Sequence, residues 1–512
     1  MTLVHQLLAG CAEADPDRCA VVEDDRTFTY RELAERAHQL ARSLRACGVR
    51  PGDRVGVGLE PGWHAVVSLF GIVEAGAVYV PLGTAPPDRR RVVAADADLR
   101  AIVEPDPGAA PGAPPAVRHG ATGIALLDDA VSRWLSWDEV ERQAPHMLPT
   151  TRRSDDIASI FYTSGSTGTP KGVAHDHSSW CSFVDWAAAA IVDDRDARVA
   201  ATAALTFDIS LLEIVVPIAR RASIVVLPRR LAAFPAAFAA ALERAAPTVL
   251  QLVPTMWRMV LHSPAALASV RVGVVTGERL APKDWAVLRS VVPDTRLLNV
   301  YGSTEVNDCA AYELPATWDP SADVPIGTAV PTTCIALIGP DDAPVPDGHV
   351  GELVVAGPMV MRGYWNRDAD TASRVVRLPD GASAFRTGDL ARRAPDGELR
   401  LEGRRSRTVK VRGEWVNLGD VEAVALDHPA IVAAVALAAE AEGPGNIVRL
   451  LVTTNAPVDA AELVRHCGRR LPRPARPQLV DVVEELPMNA NGKIDLARLT
   501  GAGPTTGDVH DQ

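Results

Sequence analysis

The sequence lacks a C-x-x-C pair, a basic leader and any long apolar run free of charge, and it is nearly bare of lysine. Its seven cysteines, Cys11, Cys19, Cys47, Cys181, Cys309, Cys334 and Cys467, are scattered. That weighs against a zinc ribbon or a disulfide framework and reads as reduced thiols in a cytosolic compartment. The N-terminus, MTLVHQLLAGCAEADPDRC, has no basic n-region and turns acidic early, so no signal peptide is expected. The most membrane-like stretch, AVVSLFGIVEAGAVYVPL (65–82), is interrupted by Glu74 and punctuated by glycines and Pro81. It predicts a soluble helix running into a buried strand rather than a membrane span. A formal net charge of −12 disfavours a nucleic-acid or anionic-membrane partner. Only four lysines occur against abundant Ala, Arg and Pro, a composition that hints at a high-GC bacterium and, loosely, at secondary metabolism. There are no repeats and no charge blocks. The expectation is a soluble, cytoplasmic protein.

What is present is ample core. With 512 residues, 47% of them hydrophobic, the chain is expected to form two to four lobes. RELAERAHQLARSLRACG (31–48) has helical period and ends on Gly48, DRVGVGLE (53–60) reads as a strand, and the 65–75 helix and AVYVPL strand follow. This alternation indicates α/β architecture with parallel sheets. Residues 104–120 are rich in Pro, Gly and Ala and predict a surface loop. Between about 325 and 402 the segments shorten and turn signals multiply, favouring a small antiparallel lobe or barrel. From about 407 a third texture begins: TVKVRG, an amphipathic helix at 420–427 and a short α+β remainder.

One loop is specialised. IASIFYTSGSTGTPKGVAHDH (157–177) sets hydroxyls, glycines and Lys171 between two apolar runs. Backbone N–H groups freed by glycine, with Ser/Thr hydroxyls and a lysine, form an anion cradle, and polyphosphate is the natural guest. The G-x-x-x-x-G-K-[ST] spacing is absent, because Pro170 precedes Lys171 and Gly172-Val173 follow it. Pro170 and Gly172 argue against a helix start, so the loop is expected to join two strands. Neither Ser164 nor Ser166 sits in G-x-S-x-G, which excludes a nucleophile elbow. GVGLEPG (56–62) is strand and turn, not a dinucleotide fingerprint.

YTSGSTGTPKG (162–172) resembles the phosphate loop of the adenylate-forming superfamily, which includes acyl- and aryl-CoA ligases, luciferases and nonribosomal peptide synthetase adenylation domains. Further matches follow in family order: FTYREL (28–33), VEAGAVYVPL (73–82), FDIS (207–210), NVYGSTE (299–305), GELVVAGPMVMRGYW (351–365), FRTGDL (385–390), GRRSRTVKVRG (403–413) and NGKID (491–495). They span nearly the whole chain. The resemblance implies an α/β fold with a large N-terminal domain of two α/β subdomains plus a small β-barrel lobe (325–402). It places the core at 1–405 and a small mobile α+β C-terminal domain at 406–505.

The resemblance also implies roles. Thr163, Ser164, Ser166, Thr167 and Lys171 would hold the β,γ-phosphates of ATP around the Gly165 and Gly168 turns. Asn299, Tyr301 and Gly302 would face adenine, with Gly277 and Glu278 as the opposite wall. Thr304 would touch the α-phosphate, and Glu305 would ligate Mg²⁺, which suits hard oxygen donors. Asp389 would bind the ribose diol, since a carboxylate accepts from both hydroxyls, with Arg404 beside the ribose or hinge. Lys493 would be the catalytic lysine bridging substrate carboxylate and α-phosphate. Ser406 stands where the family usually has a hinge aspartate or lysine, which puts the hinge's usual hydrogen bonding in doubt. Gly413 matches the pantetheine tunnel.

FDIS separates the branches. Asp208 matches the aspartate that pairs with a substrate α-ammonium in amino-acid-activating domains, an acid that fatty-acyl and aryl ligases generally lack; an Asx turn is the structural alternative. The other pocket-matching positions are Ile209, Leu212, Gln251, Val274, Thr276, Val300, Asp308 and Cys309. The first four, Asp-Ile-Leu-Gln, resemble glycine-activating domains, after which Thr276, Asp308 and Cys309 depart. The implied substrate is glycine- or alanine-sized, or an analogue with an extra amine, hydrazine or hydroxyl. Asp308 either reads the substrate or is satisfied by protein or water. The chain ends nineteen residues after Lys493 and carries neither a G-x-[DH]-S carrier signature nor an H-H-x-x-x-D-G condensation signature. The expectation is a freestanding adenylation enzyme, using ATP and Mg²⁺ and loading a separate phosphopantetheinylated carrier protein. An acyl- or aryl-CoA ligase and a non-catalytic adenylate-binding scaffold are the alternatives.

Overall fold

Thr29-x-x-Glu32 opens the first long helix. The Thr29 hydroxyl accepts from Glu32 N–H at 3.2 Å while the Glu32 carboxylate accepts from Thr29 N–H at 2.8 Å, a reciprocal cap that satisfies two orphan donors. Helix Tyr30–Ala46 then buries Leu33, Ala37, Leu40 and Leu44 along one stripe. Against it lies helix Trp63–Glu74, apolar on every side and buried almost throughout, which leads into the fully buried strand Val78–Pro81. This is the helix-then-strand reading of 65–82. Among the described residues no helix is long and apolar enough to cross a membrane. The one acid in this run, Glu74, accepts from Leu148 N–H at 2.9 Å and pairs with His38 at 2.7 Å.

The computed structural model describes residues 3–85, 87–105, 122–126, 133–149, 152–164, 170–317, 322–411, 414–440, 446–488 and 494–499. Most of the surface loop expected at 104–120 lies outside them. The chain divides into two units: 1–163 with 170–335 and 355–385, and 164–169 with 336–354 and 386–512.

The first unit holds two α/β sheets. One has nine strands in the order Thr328–Ala329, Asn307–Glu313, Arg296–Ser303, Val272–Val275, Val249–Leu252, Arg198–Ala201, Ser223–Val226, Cys19–Glu23, Arg26–Thr29. The outer strands of that sheet pair antiparallel, and the six between, from Arg296–Ser303 to Cys19–Glu23, pair in parallel. Their sequences are short apolar runs such as VGVV and VLQL, buried at every position, as a parallel sheet covered on both faces requires. The other sheet runs Gly363–Tyr364, Pro170–Asp176, Ile157–Ser164, Val78–Pro81, Arg54–Val57, Leu99–Pro105, Thr122–Leu126, Arg133–Ser136.

The second unit takes in residues 336–354 and 386–402 of the short-stranded region, with the larger part of Val350–Ala356 and Ser383–Arg393 and all of Leu399–Arg404; the rest of that region lies in the first unit. It also holds the ribbon Thr408–Val411/Glu414–Asn417 and a three-stranded sheet, Ile431–Glu440, Asn446–Thr454 and Leu479–Val482. Helices Leu418–Leu426 and Ala460–Gly468 complete its core through Val421, Ala425, Leu463 and Cys467. The architecture is thus mixed α/β with a large N-terminal part and a small α+β C-terminal part.

Candidate active site

Strands Ile157–Ser164 and Pro170–Asp176 are neighbours in one sheet, so the hydroxyl-rich loop joins two strands, as Pro170 and Gly172 led us to expect. Thr163 is half-buried at the end of the first strand. Gly165, Ser166, Thr167 and Gly168 and the side chain of Ser164 lie outside the described residues. Lys171 begins the second strand with its ammonium 2.8 Å from Asp370 Oδ2 and 5.5 Å from the Tyr364 ring centroid. That lysine holds the Asp370 carboxyl below the usual range. Tyr364 pairs across the sheet with Val173 and donates its hydroxyl to Glu305 Oε1 at 2.9 Å. One tyrosine therefore links the loop lysine to the predicted metal ligand.

Asn299, Val300, Tyr301 and Gly302 lie on strand Arg296–Ser303, which turns through Thr304–Val306 into the antiparallel strand Asn307–Glu313. The Ser-Thr-Glu triplet is a hairpin turn here, not a helix N-cap. Gly302 is required: a Cβ there would meet Asn307 O at 2.1 Å and Asp308 Cα at 2.8 Å. The two strands can close at this bulge only on a residue without a side chain. Asn299 donates its amide to Pro325 O at 2.7 Å. Across the sheet, Gly277 takes φ +80° and Glu278 accepts from Thr255 N–H and Thr255 Oγ1 at 3.2 and 2.8 Å.

The Thr304–Glu305 turn is gripped from behind. His175, 2% exposed, lies 2.6 Å from Thr304 O through Nε2 and 2.8 Å from Ser179 Oγ through Nδ1. Asn307 donates to Ser179 Oγ and to Met359 O at 3.1 and 3.0 Å, and Met361 N–H donates to Glu305 O at 2.8 Å. Burial lowers the His175 pKa, so the ring is neutral, and a carbonyl partner requires the proton on Nε2. As for the implied magnesium, Glu305 is a hard oxygen donor with one oxygen anchored by Tyr364. No group of three metal-ligating side chains occurs among the described residues. A single anchored carboxylate fits Mg²⁺, which is commonly bound through one or two carboxylates plus substrate phosphates.

The positions expected to line an amino-acid pocket lie on or directly after four strands of the nine-stranded sheet and in the turn and helix at Asp208–Leu212. Asp208 is half-buried in the turn before helix Ser210–Arg220, and its Oδ1 accepts from Ile209 N–H at 3.1 Å. Gln251 donates Nε2 to Ile209 O at 2.9 Å, while its Oε1 is buried with no donor. Gln251 pairs with Val274 on the next strand, and Leu212, Val274, Thr276, Val300 and Cys309 are all buried. Asp308, opposite Gly302, is 7% exposed. Burial first, and the charge of Asp208 second, push its carboxyl up to about 7.

In the second unit, Asp389 and Arg404 face each other across adjacent strands, and Arg404 Nε donates to Asp389 Oδ1 at 2.8 Å. Gly388 reaches φ +79° just before Asp389, a conformation that favours glycine and accounts for the T-G-D order. Ser406 sits in the short helical turn Arg405–Arg407; its side chain, Gly413 and Lys493 lie outside the described residues. Glu352 accepts from Arg386 at 2.7 Å and from Arg405 at 2.8 Å, tying the residue beside Ser406 to a buried acid.

Sequence reasoning did not single out His175, Tyr364, Glu213 or Glu352. Glu213 is 1% exposed and accepts from Thr202 N–H and Ala203 N–H, both at 2.8 Å, and from Thr202 Oγ1 at 3.1 Å. That pins the chain segment leading to Asp208. Glu213 does stand in the helix right after FDIS, the one signal that pointed to it. Two cavities, of about 410 and 330 Å³, lie elsewhere in the first unit, against Glu74 and Arg152 and against Asp176 and Pro358.

Comparison with known proteins gives concordant matches. The family model described as AMP-binding enzyme covers residues 8–365, and that described as AMP-binding enzyme C-terminal domain covers 420–493. The chain is 32% identical over 515 residues to an L-proline–[L-prolyl-carrier protein] ligase of Pseudomonas fluorescens, covering 97% of this chain and 98% of that protein. It is 29% identical over 496 residues to tyrocidine synthase 1 of Brevibacillus parabrevis, covering 96% of this chain but spanning only 44% of that longer protein. Among solved structures, Klebsiella oxytoca NpsA in complex with 3-hydroxyanthranilyl-AMSN matches with TM-score 0.81 and 25% identity over 98% of this chain and 99% of that one. AB3403, a four-domain nonribosomal peptide synthetase bound to AMP and glycine, matches with TM-score 0.79 and 26% identity over 100% of this chain and 37% of that one.

Proposed function

The chain belongs to the AMP-binding enzyme family, within the adenylate-forming superfamily, and from that premise we propose that it activates a small amino acid with ATP and transfers it to the phosphopantetheine thiol of a separate carrier protein. The observation that carries the amino-acid reading is Asp208. It is a half-buried carboxylate at the head of a helix, its segment held by Gln251 and Glu213, and the other matched positions Leu212, Val274, Val300 and Cys309 are buried. In such a setting an acid pairs with an ammonium group better than with an aryl or alkyl chain. The resemblance of Asp208, Ile209, Leu212 and Gln251 to glycine-activating domains favours a residue of glycine or alanine size.

In the first half-reaction a substrate carboxylate oxygen attacks the α-phosphorus, the α–β phosphoanhydride bond breaks, and pyrophosphate leaves with the electron pair. Asp208 holds the α-ammonium, so the carboxylate is presented in one orientation. Thr304, its carbonyl held by His175, meets the α-phosphate, and Lys171 exchanges Asp370 for the outer phosphates. Glu305 would hold Mg²⁺, which neutralises phosphate charge when bound. Lys493 balances the charge that develops on the α-phosphoryl group. Asp389, braced by Arg404, takes the ribose hydroxyls. In the second half-reaction the carrier thiol attacks the acyl carbon and AMP departs. A place in natural-product biosynthesis is supported by the similarity to tyrocidine synthase 1 and to a nonribosomal peptide synthetase.

The test is pyrophosphate release with hydroxylamine trapping across small amino acids, aryl acids and fatty acids, in the wild type and D208A. Activity confined to amino-bearing acids and lost by about 100-fold or more in D208A supports the reading. Response to aryl or fatty acids alone would show a CoA-ligase type instead, and no adenylate with any acid would show a binding scaffold.

A further inference from the structure

The pocket holds more hydrogen-bond acceptors than a simple amino acid can satisfy. Asp208 supplies one carboxylate, which suffices for an α-ammonium. Asp308 supplies a second, 7% exposed, and among the described residues no donor or cation meets it; the one charge bearing on it is Asp208, of like sign. Its position is not accidental. The bulge at Gly302 brings the Asn307–Asp308 backbone against the preceding strand, so the backbone that carries Asp308 is held there. A carboxylate set this deeply without a donor or cation is costly, and native proteins seldom keep one without a purpose.

We propose that Asp308 recognises a second nitrogen donor on the substrate, so that the enzyme selects a small acid bearing two amino groups over its one-amine counterpart. This rests on the amino-acid reading given above and deepens it. A ligand amine at Asp308 would screen the two carboxylates from each other and supply the donor that the described protein groups do not. Glycine or alanine would place its single ammonium at Asp208 and leave Asp308 without a donor. A pocket built to bond a substrate N–H rejects the analogue lacking it far more strongly than a pocket rejects a missing methylene, because the pocket's own polar groups are then stranded.

The experiment compares kcat/KM for pyrophosphate release with glycine, alanine and 2,3-diaminopropionate in the wild type, D308N and D308I. The expected result is a preference of about 100-fold or more for the diamino acid over alanine in the wild type, collapsing to within about 10-fold in D308I. D308N, which keeps the shape, serves if D308I does not fold, and should narrow the preference mainly through KM. A wild type that takes alanine or glycine as readily as the diamino acid overturns this proposal and leaves the amino-acid reading intact. So does an equal loss for both substrates in D308N. A response to aryl or fatty acids alone overturns both.

Discussion

Replacing His175 by leucine tests whether the Thr304–Glu305 turn depends on the network behind it. In the folded protein the neutral imidazole donates from Nε2 to Thr304 O at 2.6 Å and accepts at Nδ1 from Ser179 Oγ at 2.8 Å. Leucine keeps the apolar volume but strands the Thr304 carbonyl and the Ser179 hydroxyl in a buried place. An unsatisfied buried polar group costs about 1–3 kcal/mol. Ser179 can recover part by turning toward Met359 O, 3.4 Å away. A net loss of about 2–4 kcal/mol is therefore expected, read as a lower urea midpoint with unchanged slope. H175Q, which can still donate to the carbonyl, should recover part of it. Because Thr304 is assigned to the α-phosphate, a loosened turn should lower kcat for pyrophosphate release by about 10- to 100-fold, with a smaller change in the KM for ATP. A variant within about 0.5 kcal/mol of the wild type would refute the energetic reasoning. Lost stability with undiminished kcat would refute the link from this network to the chemistry.

Two further outcomes follow from buried acids. E213L leaves the N–H groups of Thr202 and Ala203 and the Thr202 hydroxyl without their acceptor. It should cost about 3 kcal/mol or more and raise the amino-acid KM, whereas E213Q should cost about half as much; chemical denaturation and steady-state kinetics measure both. Asp308 and Glu213 are each pushed up to about 7, burial being the main cause. The folded state then binds more protons than the unfolded chain between about pH 4 and 7, so their contribution is fully present below that window and lost as pH rises through it. D308N should remove one such slope. Its stability gain over the wild type should grow from pH 5 to 8, to at most about 4 kcal/mol. His177, lowered to about 4 by burial, works in the opposite sense, losing stability as pH falls from its ordinary value of 6.5, and is common to both proteins. A D308N-minus-wild-type difference that stays flat with pH would refute this.

Local patterns in the chain determined much of the fold's first unit. Thr29-x-x-Glu32 marked the helix start, the apolar run before Pro81 became helix and buried strand, and Pro170 with Gly172 placed the hydroxyl-rich loop between two strands. These are statements about neighbours in sequence, where period, capping and proline geometry act directly. The pairing of Asp389 with Arg404 was half legible, since both belonged to motifs, but their contact comes from strand register. Other features were decided only in three dimensions. His175 meets a carbonyl 129 residues away, and Glu352 meets Arg405 at a separation of 53. Tyr364 joins Lys171 to Glu305 across a sheet edge. None of these leaves a periodic trace, because a buried polar side chain is defined by its partner and not by its spacing. Asp308 shows the same division most plainly. The sequence placed an acid at a pocket position and left two readings open; burial, the glycine bulge and the lack of a described donor gave that acid its chemical demand. Burial and like charge are properties of the folded surroundings, so only the tertiary structure could supply them.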